Sequence, residues 1–186
     1  SEIFSLDKNV EQAQKDAILA AKNKHNSVGG VALINVKNTP IGLGEPLYFK
    51  LDSQIANAMM SINAVKAVEI GDGTLSSKVK GYDNNDQIRK DGFKTNHSGG
   101  ILGGISNGDD INVKVYFKST PSIFIKQETV DIHNDEVNCE LKGRHDPCVA
   151  VRGSVVAESM MALVLADMAL LNMSSKIQNV KKVYSK

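Results

Sequence analysis

The segment that most constrains the fold is SVVAESMMALVLADMALLNM, residues 154–173. Its length and spacing predict one long helix, and apolar residues occupy nearly every side of that helix. A helix of this kind is expected to be buried on most of its surface, because water would otherwise contact its apolar side chains. No uninterrupted apolar run reaches the roughly 18 residues that a membrane span needs. The segment therefore predicts a folded domain built around a central helix.

The other patterns along the chain mix helices and strands without a regular βαβ alternation. The first helix is predicted to be capped by Asp7, and the second by Asp52 or Ser53. The polar segment 76–98 reads as a long loop, which in a compact domain is usually mobile or functional. Helices are expected near 5–26, 51–63 and 154–173, and strands near 31–36, 64–70, 111–117 and 122–132. This arrangement favours an α+β fold with helices layered on an antiparallel sheet.

Composition removes several classes of function. The chain has 186 residues, enough for one domain over 1–186, and its net charge is only +1, from 22 basic and 21 acidic residues. Bulk electrostatics therefore give no reason to expect binding to nucleic acid or to an anionic membrane. The two cysteines, Cys139 and Cys148, are expected to be reduced thiols. Because no C-x-x-C pair accompanies them, we expect no metal site.

Two segments have the composition of a ligand site, although each also has a simpler explanation. HSGGILGGISNGDD places five glycines within ten residues, which would let backbone N–H groups approach a ligand closely. Tight turns explain the same glycines equally well, and His97 is the one histidine whose position beside them suggests a function. The segment FKSTPS, residues 117–122, offers a cation and hydroxyl groups at a strand end. That mixture suits a phosphate or the polar edge of a cofactor, but also an ordinary turn.

The stretch LKGRHDPCVAVRG, residues 141–153, places charged side chains directly before a buried segment. Arg144 supplies a planar cation that can hold a carboxylate or phosphate with two hydrogen bonds. Asp146 lies two residues further on, so in an extended chain both side chains point to the same side. This pair could form part of an active site. It could equally be a surface ion pair, which contributes about 0–1 kcal/mol to stability.

Five motifs together resemble the chorismate synthase family. GLGEP, MMSINAVKAVEIGDG, GGILGGISNG, GRHDPC and VAESMMALVLAD occur in this order, between about residue 29 and residue 171. The resemblance is to the C-terminal half of that family, so we expect the N-terminal half to be absent from this sequence. It implies half of a sandwich in which helices lie between antiparallel sheets.

The resemblance also implies a function. Members of the family are cytoplasmic lyases of the shikimate pathway, which leads to the aromatic amino acids. They convert 5-enolpyruvylshikimate 3-phosphate to chorismate and phosphate by a 1,4-elimination that requires reduced FMN. Some members also reduce the flavin, for which NADPH is the expected reductant. The complete enzyme is expected to be a homotetramer that binds neither nucleic acid nor membranes.

The same resemblance assigns roles to individual residues. It implies that Arg144 contacts both flavin and anionic substrate, and that Asp146 lies near flavin N5 and helps to move the proton. The implied cofactor-binding residues are Asn63, Ala64, Gly103, Lys118, Ser119, Thr120, Pro121, Ser122 and Arg144. The isolated half is expected to be inactive. The alternative interpretation is a non-catalytic α/β module with a structural or interaction role.

Overall fold

The computed structural model describes residues 1–185. Five α-helices and a 3₁₀ turn at Gly73–Ser77 alternate irregularly with short strands. The helices are α1 Lys8–Asn23, α2 Leu51–Met60, α3 Gly81–Asn84, α4 Ala150–Asn172 and α5 Ile177–Tyr184. The strands are β1 Gly30–Val36, β2 Val65–Ile70, β3 Ile88–Arg89, β4 Gly92–Phe93, β5 Ile101–Leu102, β6 Ile105–Ser106, β7 Ile111–Phe117, β8 Gln127–Val130 and β9 Glu136–Cys139. The α+β prediction is confirmed.

A three-stranded antiparallel sheet of order β1-β7-β2 forms the centre of the fold. The predicted strand at 111–117 is confirmed, and its strict alternation has a physical basis. Every second residue of β7, from Ile111 to Phe117, is buried, while Asn112, Lys114 and Tyr116 are half-buried on the outer face. Helices α2 and α4 cover the inner face, so the core lies between one sheet and one helical layer.

The helical layer approaches the sheet closely where β7 ends. A Cβ atom at Gly153 would lie 2.5 Å from ring atoms of Phe117, so only glycine fits between α4 and the sheet at this point. One stripe along α4 is buried, consisting of Ala150, Gly153, Ala157, Met161 and Met168. Their spacing of three, four, four and seven residues is that of a single helix face.

The prediction that the last helix is buried on most of its surface is wrong for this chain. Among the exposed residues of α4 are Val156, Leu163 and Leu170, and the last two expose 66% of their surface. Within residues 1–185, α4 packs on one face only, against β1, β7 and α2. By length and composition alone α4 could also cross a membrane, but core helices of soluble proteins meet the same two criteria.

Two further element predictions need correction. Asp52 or Ser53 was predicted to cap α2, but both residues lie inside the helix. Helix α2 begins at Leu51, and the residue at its N-cap, Lys50, makes no capping hydrogen bond with its side chain. The expected strand over 122–132 is limited to β8, which pairs with β9 in a separate hairpin. The predicted cap of α1 is confirmed, because the Asp7 carboxylate accepts the Asn9 N–H at 2.8 Å.

The predicted long polar segment contains short elements fixed by one carboxylate. Asp86 accepts hydrogen bonds from the Thr95 hydroxyl and from the backbone N–H groups of His97 and Ser98, at 2.7–2.9 Å. Burial raises the pKa of Asp86, but hydrogen bonds from Ser98, Thr95 and His97 outweigh that effect and lower the pKa from its usual value. The segment is therefore an ordered surface feature.

Candidate functional site

Two of the predicted site segments meet beside the end of the central sheet where β1 begins and β7 ends. The backbone of residues 27–29 lies between them. The Ser27 hydroxyl donates to the Thr120 carbonyl at 2.6 Å, and the Val28 N–H donates to the Pro147 carbonyl at 2.8 Å. The Cys148 thiol lies 3.8 Å from the Gly29 carbonyl. These contacts bring the segments 118–122 and 144–148 together, although more than 20 residues separate them in sequence.

The predicted pair Asn63 and Ala64 joins the same end of the sheet. It follows the last turn of α2, and the Ala64 carbonyl accepts the Lys118 N–H at 2.9 Å. Ala64 has a φ of 72°, a left-handed conformation that costs a non-glycine residue roughly 1–2 kcal/mol. Such a conformation persists only where surrounding contacts fix it, as the bond to Lys118 does here.

The exposed side chains around this junction suit an anionic ligand. Lys118 and Ser119 are exposed, and Thr120 and Ser122 are half-buried with their hydroxyl groups nearby. The Arg144 side chain is exposed, and no carboxylate among residues 1–185 lies within 4.0 Å of its guanidinium. A cation without a protein counter-ion can bind phosphate or carboxylate with charge-assisted hydrogen bonds.

Asp146 has a different partner from the one that its sequence position suggests. Its carboxylate lies 3.4 Å from Nε of Arg152, in the first turn of α4, and it forms no ion pair with Arg144. The sequence analysis did not include Arg152 among the site residues. Helix α4 begins at Ala150, four residues earlier than predicted, and this earlier start places Arg152 in its first turn, near Asp146. Arg144 therefore has no carboxylate partner among residues 1–185, whereas Asp146 has a partner in Arg152.

Gly103 lies apart from the other predicted site residues. The carbonyl of its neighbour Gly104 accepts the N–H of Leu51, the first residue of α2, whereas Asn63 and Ala64 follow the last turn. Ten helical residues separate these positions, about 15 Å at 1.5 Å per residue. A Cβ atom at Gly103 would meet nothing within 4 Å, so this turn faces open space.

His97 makes a short polar contact at the Gly103 end of the sheet. Its Nδ1 lies 2.6 Å from a carboxylate oxygen of Asp72, in the turn that follows β2. Both side chains are about one-third exposed. This pair holds the polar segment 86–98 against the end of β2 and lies with the glycine turns, away from Arg144.

The outer face of the sheet carries a polar cluster that sequence reasoning also missed. The Glu69 carboxylate accepts the Tyr116 hydroxyl at 2.8 Å and the Thr74 hydroxyl at 2.9 Å, with Lys114 Nζ at 3.3 Å. These hydrogen bonds, that of Tyr116 first, lower the pKa of Glu69 to about 2. The same bond raises the pKa of Tyr116. The register of β2 against β7, not sequence spacing, creates this cluster.

Comparison with known proteins gives a consistent family. The chorismate synthase family model matches residues 1–170. The chorismate synthase of Aliarcobacter butzleri is 85% identical over all 186 residues, which cover 52% of that protein. The chorismate synthase of Sulfurimonas denitrificans is 62% identical over 184 residues, covering 99% of this chain and 51% of that protein.

A solved structure agrees with these sequence relatives. A crystal structure of chorismate synthase superposes with a TM-score of 0.71 and 32% identity, covering 94% of this chain and 47% of the solved one. The chain thus spans about half the length of the relatives that it matches. High identity along the whole chain, with the same fold in the solved relative, shows that the chain belongs to the chorismate synthase family.

Proposed function

We propose that the chain supplies the FMN- and substrate-contacting part of a chorismate synthase. In the complete enzyme, 5-enolpyruvylshikimate 3-phosphate loses phosphate and its C6 proton in a 1,4-elimination, and chorismate is formed. The observation that carries this proposal is the junction of segments 63–64, 118–122 and 144–148 at one end of the central sheet. The reaction belongs to the shikimate pathway in the cytoplasm.

The residues at the junction fit an FMN group. Hydroxyl groups of Ser119, Thr120 and Ser122 can donate to the polar edge of a flavin or to its phosphate, and Lys118 and Arg144 balance negative charge. The tight turn at Asn63 and Ala64 lies against Lys118 and can present its backbone to the ring. Reduced FMN supplies electron density to the substrate when it is bound. Gly103 lies near the first turn of α2, so it would contact the ligand only if the ligand extends along α2 as far as that turn.

The charged side chains divide the work of the elimination. Arg144 holds anionic groups of the substrate and flavin, and it attracts the negative charge that builds on the departing phosphate. Asp146 assists the transfer of the C6 proton, because a carboxylate held in place can accept or relay a proton. Arg152, at 3.4 Å, restrains the Asp146 side chain without occupying Arg144. Arg144 and Asp146 therefore take separate roles although only His145 separates them in sequence.

A complete enzyme requires more chain than these 186 residues, because the curated relatives are about twice as long. The exposed apolar face of α4 offers a surface on which the rest of such a protein would pack. We propose that the complete enzyme is a homotetramer, as the family resemblance implies.

A chimeric enzyme tests the proposal directly. These 186 residues would replace the matching part of the Aliarcobacter butzleri chorismate synthase, which shares 85% identity with them. Chorismate formation would be followed under anaerobic conditions with reduced FMN, and the unmodified relative would serve as the control. We expect a rate within about tenfold of that control, because at 85% identity most of the transplanted residues are those of the relative itself.

The competing interpretation is a non-catalytic module. A chimeric enzyme that folds, assembles like the control and binds no FMN would favour that interpretation. Arg144 is exposed and has no carboxylate within 4.0 Å among residues 1–185, so its guanidinium is accessible to an anionic ligand.

A further inference from the structure

We infer that Phe124 is a positioning residue that fixes the two loops of the site relative to each other, an inference that rests on the proposed function. Its ring lies between two histidine rings. The Phe124 and His145 centroids are 5.4 Å apart at an interplanar angle of 57°, and the His25 centroid lies 6.3 Å away at 82°. These distances and angles are those of tilted and edge-to-face aromatic pairs, which are the favoured arrangements.

The three rings come from three different segments. His25 follows α1, Phe124 lies two residues after Ser122, and His145 stands between Arg144 and Asp146. The Phe124 N–H also donates to the His25 carbonyl at 3.2 Å. Phe124 is thus attached by its backbone to one segment and by its ring to both.

Residues 27–29 fix the two loops near Thr120 and Pro147, but the hairpin that connects the loops gives them little further support. The β8–β9 hairpin connects segment 118–122 to segment 144–148, and its two strands form a sheet only with each other. Of the eight residues in β8 and β9, seven are exposed. The eighth, Gln127, is half-buried, and its side chain donates to the Pro121 carbonyl at 3.0 Å. Residues at the base of the hairpin therefore act together with residues 27–29 to set the distance between the loops.

His145 contributes its ring rather than its hydrogen-bonding atoms. Its Nε2 is buried and has no hydrogen-bond partner among residues 1–185. A small cavity of about 30 Å³ lies beside it, lined in part by Phe124, His25 and Ser122. Because Arg144 and Asp146 are its sequence neighbours, a displacement of the His145 ring moves both functional side chains. Misplacement of reacting groups by about 1 Å can lower a rate on the order of a hundredfold.

The first test uses a double-mutant cycle in the chimeric enzyme. We expect Phe124→Leu, which removes the ring but keeps apolar volume, to lower the single-turnover rate about tenfold, and Phe124→Tyr to stay within about twofold of the unmodified chimera. In an Asp146→Asn background, Phe124→Leu should lower the rate by clearly less than tenfold, because the part of its effect that passes through that carboxylate is already lost while the part that passes through Arg144 remains. A normal rate for Phe124→Leu, or full additivity with Asp146→Asn, would overturn the inference.

Two further measurements test the inference independently of the Phe124→Leu rate. A His145→Phe variant covers the case in which Phe124→Leu folds poorly, and hydrogen exchange covers the case in which the chimera has low activity. His145→Phe keeps the ring contact and removes the unpartnered nitrogen, so its rate should be near normal; a large loss would mean that the imidazole itself acts. Amide hydrogen exchange should rise in both segments, 118–122 and 144–148, in Phe124→Leu. Unchanged exchange would overturn the positioning role whatever the activity. A chimera that forms no chorismate contradicts the proposed function instead.

Discussion

Arg144 and Asp146 lie one residue apart, but they differ in their partners, and this difference predicts different kinetics. Arg144 has no carboxylate partner among residues 1–185, whereas Asp146 is held at 3.4 Å by Arg152. We therefore expect Arg144→Ala in the chimeric enzyme to raise the KM for substrate or the Kd for FMN, with some loss of kcat. Asp146→Asn should lower the single-turnover rate about tenfold or more, with FMN affinity little changed.

Steady-state and single-turnover kinetics with an FMN titration separate the two effects. The asparagine variant keeps the shape of the side chain and removes its charge and its basicity, so it is a cleaner test than alanine. If Asp146 merely steadied the loop, Asp146→Asn would remove only an exposed ion pair, worth about 0–1 kcal/mol. A near-normal single-turnover rate would then be observed, and the proton role would be excluded.

Glu69 predicts a loss of stability in acid. Its pKa is lowered to about 2 from the model-compound value of 4.5 by hydrogen bonds from Tyr116, Thr74 and Lys114. A carboxylate with a depressed pKa stabilises the fold above the unfolded pKa, and that contribution disappears as pH falls through the folded pKa. We expect the melting temperature of the chimeric enzyme to decrease as the pH is lowered from 4.5 to about 2. The Glu69→Gln variant should show a smaller decrease over the same pH range.

Thermal unfolding across this pH range measures the effect. Tyr116→Phe is the matched control, because it removes the hydrogen bond that lowers the pKa most and keeps the ring. Tyr116→Phe should therefore make the melting temperature depend less on pH in acid, by a smaller amount than Glu69→Gln does. Parallel curves for Glu69→Gln and the unmodified chimera would show that other carboxylates control acid unfolding.

Residue types along the chain indicate which side chains carry chemistry, but not which of them pair. Arg144 and Asp146 are visible in the sequence as a cation and a carboxylate two positions apart, and Asp146 lines a small cavity together with Ser122. Arg152 and Glu69 were missed because their contacts depend on where α4 begins and on how β2 registers against β7. A shift of one residue in the start of α4, or in the register of β2 against β7, would turn Arg152 or Glu69 toward another face.

At the scale of elements, the glycines of segment 97–110 can be explained either by a hairpin turn or by close approach to a cofactor. Gly103 and Gly104 connect β5 to β6 with φ values of 59° and 85°, the left-handed values of a two-residue hairpin turn. The turn alone accounts for both glycines. Gly103 also faces open space, so contact with a bound cofactor stays a prediction.

A pair of substitutions separates these explanations. Gly103→Asn tolerates a positive φ, whereas Gly103→Val is strained there by roughly 1–3 kcal/mol. If a cofactor lies against this turn, both variants should weaken FMN binding about tenfold, and only Gly103→Val should markedly lower the melting temperature of the flavin-free chimera. FMN affinity that is normal in Gly103→Asn would leave the turn as the only role.

Strongly periodic elements could be predicted from sequence, and short ones could not. Strand β7 alternates buried and half-buried residues over seven positions, and its predicted bounds are correct. Strands β5 and β6 have two residues each, too few for any period to be visible. Strand β9 is exposed throughout, so no apolar alternation marks it, although it pairs fully with β8.

At the scale of the whole molecule, α4 shows why burial could not be predicted from one segment. Its composition indicated burial on most of its surface, but within residues 1–185 only one stripe of it is covered. A helix face is buried only if another element is present to pack on it. The relatives are about twice as long, so they contain enough further chain to cover the remaining face.

This surface gives a prediction in which one substitution has opposite effects in two proteins. Leu163 and Leu170 each expose 66% of their surface. In the isolated 186-residue chain, Leu163→Lys should reduce concentration-dependent association, because it breaks an exposed apolar patch. In the chimeric enzyme it should destabilise the fold by roughly 2–5 kcal/mol, because a charged group would be buried against the rest of the protein.

Sedimentation of the isolated chain and thermal unfolding of the chimera measure the two effects. Val130→Lys, at an exposed apolar position on β8, is the control and should change both proteins little. The isolated chain should form no chorismate with reduced FMN, since the missing length of the relatives would supply further acid–base groups worth on the order of 10²–10⁴ in rate. A small effect of Leu163→Lys in the chimera would mean that this face of α4 remains in water in the complete enzyme. Turnover by the isolated chain at the rate of the chimera would show that residues 1–186 contain every catalytic group.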